Sequence, residues 1–169
     1  MTDDDFVEGM EHGLFHHRKH KGYIALLYYY AVRKTEGLRA KREQFTITRD
    51  KLFFDVGKRL KHGIHTTPLS IRLEVPYVNE IVWAIEHTDP EQRVWNYCPK
   101  TGYNIVARVF KYPHFFRLSR ITNFFLDGYS IMDVHSWTGL SLRALDFYLG
   151  LVQTTEMGES LGKKKQRNV

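Results

Sequence analysis

His114 and Arg117 stand three residues apart. On a helix beginning near Pro113, that spacing projects both side chains from one face, where they can converge on one small anion. Arg117 offers a planar fork of N–H donors suited to a phosphate diester, and His114 adds another donor. Tyr148 follows two short helices later and carries a hydroxyl able to attack phosphorus. Spacing alone also gives Tyr148 a plainer role, because it shares an apolar stripe with Leu142, Leu145 and Leu149, as a core residue does. Arg33 and Glu36 form an R-x-x-E pair one helical turn apart, which by spacing is an ordinary helix ion pair. Lys58 and Lys61 lie in GKRLKHG, from Gly57 to Gly63, where a lysine at a hairpin tip normally serves as a solubilising charge.

These groups must be held by a folded body, and the composition permits one. The chain has 169 residues, 43% of them hydrophobic, enough for one domain with a proper core. A formal charge of +6 favours an anionic partner, of which nucleic acid is the commonest for a basic domain. Cys98 is the only cysteine, so a disulfide within the chain and a thiolate zinc site are both excluded. The longest apolar run, Tyr23 to Val32, is about half of what a membrane span needs. Met1 precedes three acidic residues rather than a signal sequence, so a cytoplasmic protein without membrane association is expected. Neither a P-loop nor a G-x-G-x-x-G fingerprint is present, and no cofactor is expected.

Thr2 and the acids after it start a helix with Phe6, Met10 and Leu14 inward. The HHRKHK stretch from His16 to Lys21 reads as a basic connector. Its histidines and His12 include pairs four apart that suit a metal on a helix, but no carboxylate or thiol is placed to complete a site, so a solvated loop is the simpler reading. From Gly22 to Phe45 the pattern is helical. Three short strands follow, at Phe45 to Ile47, Lys51 to Val56 and Ile64 to Ile71. Further helices are expected from Pro76 to about His87, from about Lys100 to Phe110, from Pro113, and after Ser130, where Ser130 and Asp133 make an N-cap signal. After Leu151 the chain turns polar. The fold class is therefore α+β, mostly helical with a small three-stranded antiparallel sheet.

In this order the motifs resemble the tyrosine recombinase (phage integrase) catalytic domain. That family has an arginine in a T-G-L-R-x-x-E context, a lysine on the hairpin of a small sheet, H-x-x-R, two glycine-containing turns and a nucleophilic tyrosine. Here these correspond to Arg33 with Glu36 in YAVRKTE, Lys58 with Lys61 in reserve, His114 with Arg117, Gly128, Thr138 with Gly139, and Tyr148. The wording YPHFFRLSRIT and ALDFYLG is closest to archaeal and archaeal-virus members. The resemblance implies a catalytic domain over residues 1–151 and a polar basic tail over 152–169, without the family's N-terminal core-binding domain.

It also implies a chemistry. Arg33, His114 and Arg117 would stabilise the charge gathering on the phosphate, Tyr148 would form a 3′-phosphotyrosine, and Lys58 would protonate the leaving 5′ oxygen, all without a metal. Double-stranded DNA is the implied partner, in a tetramer on paired sites. The basic clusters Arg18, Lys19 and Lys21, then Lys34, then Arg39, Lys41 and Arg42, then Arg59 and Lys61 are the expected backbone contacts. YAVRKTE lacks the glycine that precedes the family's arginine. Leu140 stands where the family usually has His or Trp, and losing such a donor costs on the order of a hundredfold in rate. His135 and Trp137, on the preceding helix, are the nearby donors. Three other readings stay open: a non-catalytic DNA-binding module, with a helix-turn-helix-like stretch from Thr122 to Leu149; a type IB topoisomerase-like relaxing enzyme; and a metal-dependent nuclease.

Overall fold

The computed structural model describes residues 1–12, 17–57 and 68–166. The chain forms two compact units, Met1–Arg120 and Ile121–Val169.

The first unit begins with α1 (Asp3–His12), whose entry is closed by Thr2 and Asp5. The Asp5 N–H donates to Thr2 Oγ1 at 3.1 Å, and the Thr2 N–H donates to the Asp5 carboxylate at 2.7 Å. Three acids in the first turn complement the helix dipole. Phe6 and Met10 are fully buried, as their spacing predicts, while Leu14 lies outside the described residues.

The helix α2 (Arg18–Tyr29) starts earlier than the sequence pattern suggests. Arg18, Lys19 and Lys21 therefore form its first turn, whereas the sequence reads them as a connector; His16 is outside the described residues. Long-range contacts fix this turn. Arg18 donates to Glu80 at 2.6 Å and lies 5.0 Å from the Trp83 ring, and the Lys19 carbonyl accepts the Trp95 indole N–H at 3.0 Å. From Gly22 to Tyr29 every residue of α2 is buried, so this is the central helix of its unit. Gly22 permits the close approach of α4 (Val78–Glu86): a Cβ there would sit 2.6 Å from the Glu80 carbonyl oxygen.

The helical run expected from Gly22 to Phe45 is in fact broken. The chain leaves the helix at Tyr30 and re-enters at α3 (Lys34–Arg39), followed by a 3-10 turn at Arg42–Gln44. The break occurs at Ala31, which has a left-handed φ of 50°.

The sheet is antiparallel in the order β1-β2-β3, with β1 at Phe45–Ile47, β2 at Lys51–Phe54 and β3 at Leu69–Arg72. Strands β2 and β3 pair Lys51 with Arg72 and Phe54 with Leu69, so the described part of the third strand lies later than the Ile64 to Ile71 reading. The stretch read from sequence as a hairpin tip, with Lys58, Arg59 and Lys61, lies outside the described residues. Aromatic contacts dock the sheet: Phe45 stacks on Phe54 at 4.3 Å, and the Tyr30 hydroxyl donates to the Leu52 carbonyl at 2.8 Å. The unit closes with α4, α5 (Pro99–Ala107) and the first part of α6 (Pro113–Leu126).

The second unit contains the end of α6, α7 (Ile131–Thr138) and α8 (Leu142–Gln166). Its core is Ile121, Phe124, Phe125, Val134, Leu145 and Val152. The polar stretch beyond Leu151, read from sequence as a tail, continues α8 as helix to Gln166. A capping box starts α7 where the sequence signals it. The Asp133 N–H donates to Ser130 Oγ at 3.2 Å, and the Asp133 carboxylate accepts the Ser130 N–H at 3.0 Å. The Ser130 hydroxyl and N–H hold the Asp133 carboxyl below the usual carboxylate range. Ser130→Ala is expected to lower stability by about 1 kcal/mol, read as a reduced urea midpoint. An unchanged midpoint would show that the cap does not limit stability.

Candidate active site

Arg117 is the organising side chain of the first unit's cleft. It lies on the first turns of α6, where its helical position turns it inward, and it is 2% exposed. A buried guanidinium requires acceptors. One is supplied by the break between α2 and α3: Arg117 Nη1 donates to the Ala31 carbonyl at 2.5 Å. Glu36 supplies the counter-charge at 3.9 Å.

Glu36 serves the other arginine too. Its carboxylate accepts from Arg33 Nη1 at 2.9 Å and from the Arg33 backbone N–H at 2.6 Å. That second bond caps α3, so the R-x-x-E spacing does more than form a surface ion pair: it closes the helix and fixes the segment bearing Arg33. Arg33 remains exposed, and its ion pair by itself contributes little stability, about 0–1 kcal/mol. Its role in the geometry is to present a second cation beside Arg117.

The two arginines and His114 line one cleft of about 340 Å3. The other lining residues are Val32, Lys34, Thr35, Tyr103, Tyr112 and Pro113. Three sequence-derived candidates, Arg33, His114 and Arg117, are thus brought together, although 81 positions of chain separate Arg33 from His114 (114 − 33). His114 is exposed at the cleft, one helical turn before the buried Arg117. Two guanidinium groups and an imidazole on one cleft are the kind of N–H donors that suit a tetrahedral oxyanion.

Ala31 explains a departure noted in the sequence. The resemblance places a glycine two residues before the first arginine, and here that residue is an alanine with φ of 50°. An L-residue pays roughly 1 kcal/mol for the left-handed conformation, which glycine adopts without penalty. The conformation is needed because it turns the Ala31 carbonyl out of α2 and toward Arg117.

The remaining described catalytic candidate belongs to the second unit. Tyr148 is on α8 in the second unit, half-buried against that unit's core, with the Phe147 ring 5.9 Å away. Leu140 packs against the same core. Its carbonyl accepts from His135 Nδ1 at 2.5 Å, and its N–H donates to Thr138 Oγ1 at 3.3 Å. A carbonyl can only accept, so His135 Nδ1 carries a proton and donates it to Leu140. Trp137 packs against this core as well, 5.6 Å from Phe124.

Among the expected backbone contacts, Arg18 is engaged by Glu80 and Lys41 by Glu43 at 3.2 Å. Lys21 lies 5.8 Å from the Tyr77 ring, Lys19 and Arg42 are half-buried, and Arg39 is exposed. Lys58, Arg59 and Lys61 are outside the described residues. Among the described residues, no three His, Cys, Asp or Glu side chains group as metal ligands, and no helix is long and apolar enough to cross a membrane. Sequence reasoning missed Tyr103 and Tyr112 as cleft residues. The signal for Tyr112 was its position two residues before His114, whereas Tyr103 lies on α5, whose packing beside α3 is a tertiary fact.

No protein-family model matches this sequence, and no curated protein matches it. Solved structures do. The chain is similar to the XerH site-specific recombinase bound to palindromic difH substrate in a post-cleavage complex, with a TM-score of 0.63 at 16% identity, covering 95% of this chain and 51% of that one. It is also similar to XerH bound to difH substrate in a pre-cleavage complex, with a TM-score of 0.57 at 16% identity, covering 86% of this chain and 47% of that one. The fold is that of a tyrosine recombinase catalytic domain. The chain spans about half the length of the recombinase structures it matches. Within this recombinase fold, the helical frame and the small sheet expected from the sequence are both present.

Two substitutions test the frame of the cleft. Ala31→Val puts a β-branched residue at a left-handed, fully buried position and is expected to cost about 2 kcal/mol of stability in urea unfolding. Wild-type stability would mean that the segment relaxes out of this conformation. Arg117→Met removes the donor to the Ala31 carbonyl, with an expected loss of about 1–3 kcal/mol from the unpaired acceptor; no loss would show that the contact does not anchor the segment.

Proposed function

We propose that this chain is the catalytic part of a site-specific DNA recombinase, cleaving and rejoining DNA strands through a covalent 3′-phosphotyrosine. The observation that supports this most is the convergence of Arg33, His114 and Arg117 on one cleft, in a fold shared with XerH. A phosphodiester in that cleft would place its non-bridging oxygens toward the two guanidinium groups. These oxygens gain negative charge in the transition state, and the arginines would stabilise that charge where it develops. His114 would donate a hydrogen bond or move a proton at the same phosphate.

Tyr148 is assigned as the nucleophile. Its phenolic oxygen, giving up its proton to solvent, would form a bond to phosphorus as the bond to the 5′ oxygen breaks, and Lys58 would deliver the proton that the 5′ oxygen needs. Rejoining reverses the step: a 5′ hydroxyl attacks the phosphotyrosine and releases the tyrosine. The phosphotyrosine conserves the bond energy, so no nucleotide cofactor is required. Arg18, Lys19, Lys21, Lys34, Arg39, Lys41, Arg42, Arg59 and Lys61 are assigned to the DNA backbone, and a tetramer on paired sites is the working assembly. Binding should weaken steeply with salt.

A second reading is favoured by one observation. Leu140 offers no side-chain donor, and the Nδ1 proton of the neighbouring His135 is already given to the Leu140 carbonyl. A domain that had lost its chemistry in this way would still bind DNA.

Covalent trapping separates the two readings. On nicked duplex DNA of randomised sequence, in EDTA, the wild type is expected to give a DNA-linked band on a denaturing gel, and Tyr148→Phe to give none while keeping near-wild-type affinity. Adducts in Tyr148→Phe would remove Tyr148 as nucleophile. Salt-sensitive binding without adducts in the wild type would establish the binding module instead.

A further inference from the structure

The cleft contains more than the three candidates taken from the sequence. Tyr103 and Tyr112 line it from two different elements, α5 and the segment before α6. Both are large aromatic residues left 43% and 39% exposed. Neither packs into the core as Tyr23, Tyr28 and Tyr30 do, all of which are fully buried. Among the described residues, neither hydroxyl makes a hydrogen bond within the protein, whereas the Tyr28 and Tyr30 hydroxyls donate to Asp3 and to the Leu52 carbonyl. Lys34 stands beside them. Its Nζ lies 5.8 Å from the Tyr103 ring and donates to the Pro99 carbonyl at 3.5 Å, so the ammonium is held against the cleft wall.

A phenol O–H is a neutral donor, and a phosphate oxygen is a strong acceptor with several lone pairs to fill. Arg33 and Arg117 share Glu36, and Arg117 also donates to the Ala31 carbonyl, so part of their donor capacity is used within the protein. Two uncommitted phenols on the same cleft supply donors that carry no such prior obligation.

We propose that Tyr103 and Tyr112 are further phosphate-binding residues of this cleft, donating their hydroxyls to the oxygens of the phosphodiester held by Arg33 and Arg117. This rests on the reading of the cleft as a phosphodiester site. Both tyrosines act by binding and positioning the phosphate, and neither transfers a proton.

The test uses the full chain and a short fluorescein-labelled nicked duplex, in EDTA at low salt, read by fluorescence anisotropy. Four variants are compared with wild type: Tyr103→Phe, Tyr112→Phe, the double Phe variant, and Arg33→Ala. The Phe changes keep the rings and remove only the exposed hydroxyls, so thermal melts are expected to be unchanged. Each single variant is expected to lose about tenfold in affinity, the usual weight of a hydrogen bond to a charged group, and the double variant more than either. Wild-type affinity in the double Phe variant, alongside weakened binding in Arg33→Ala, would overturn the proposal and leave the cleft reading intact. Wild-type affinity in Arg33→Ala would overturn the cleft reading and this proposal with it. A Tyr103→Leu, Tyr112→Leu variant that loses affinity while the Phe variant keeps it would show that the rings pack on the sugar, and would likewise overturn hydroxyl donation.

Discussion

One hydrogen bond, from the buried Arg117 guanidinium to the Ala31 carbonyl, ties the first unit's chemistry to its architecture. A cation taken almost wholly out of water is tolerated only when acceptors are already in place. Here the acceptor is a backbone carbonyl freed by the interruption between α2 and α3, and the interruption exists because Ala31 takes a left-handed conformation. The same interruption brings Arg33 to the start of α3, where Glu36 caps the helix and pairs with both arginines. The cleft arginines and the local fold are therefore held by one set of interactions. Disturbing Arg117, Ala31 or Glu36 perturbs both together.

The surrounding elements serve that arrangement. Buried on all sides from Gly22 to Tyr29, α2 is the rod against which α4 packs closely at Gly22, and its end is the segment that receives Arg117. Tyr30, at the exit of the same helix, fastens the sheet through the Leu52 carbonyl. The sheet and the cleft thus hang from two consecutive residues, Tyr30 and Ala31. Rigid support of this kind is what positions charged groups well enough for transition-state stabilisation.

Much of this was legible in the sequence, for identifiable reasons. The H-x-x-R spacing places two side chains on one helix face whatever the tertiary context, and the structure does bring His114 and Arg117 to one cleft. Strands β1 and β2 were marked by aromatic and β-branched residues between turn residues. The Ser130 cap was marked by a serine three residues before an acid. The break at Ala31 was not legible, because the run from Tyr23 to Val32 is uniformly apolar and a fully buried helix carries no periodicity to show where it ends. Arg18 to Lys21 read as a loop because six consecutive polar residues hide a helix start whose anchors, Glu80 and Trp95, lie far along the chain. The helical course of α8 beyond Leu151 was missed because a polar helix looks like a polar tail. Tyr103 gave no signal as a cleft residue, since only the packing of α5 beside α3 brings it there, whereas Tyr112 was marked only by standing two residues before His114.

The central claim is that Arg33, His114 and Arg117 grip one phosphodiester. The most direct measurement is a crystal structure of the protein bound to nicked duplex DNA in EDTA. The account predicts one backbone phosphate in the cleft, within hydrogen-bond distance of both guanidinium groups and of the His114 ring. A complex in which the DNA backbone bypasses this cleft, leaving Arg33 and Arg117 engaged only with Glu36 and the Ala31 carbonyl, would contradict it.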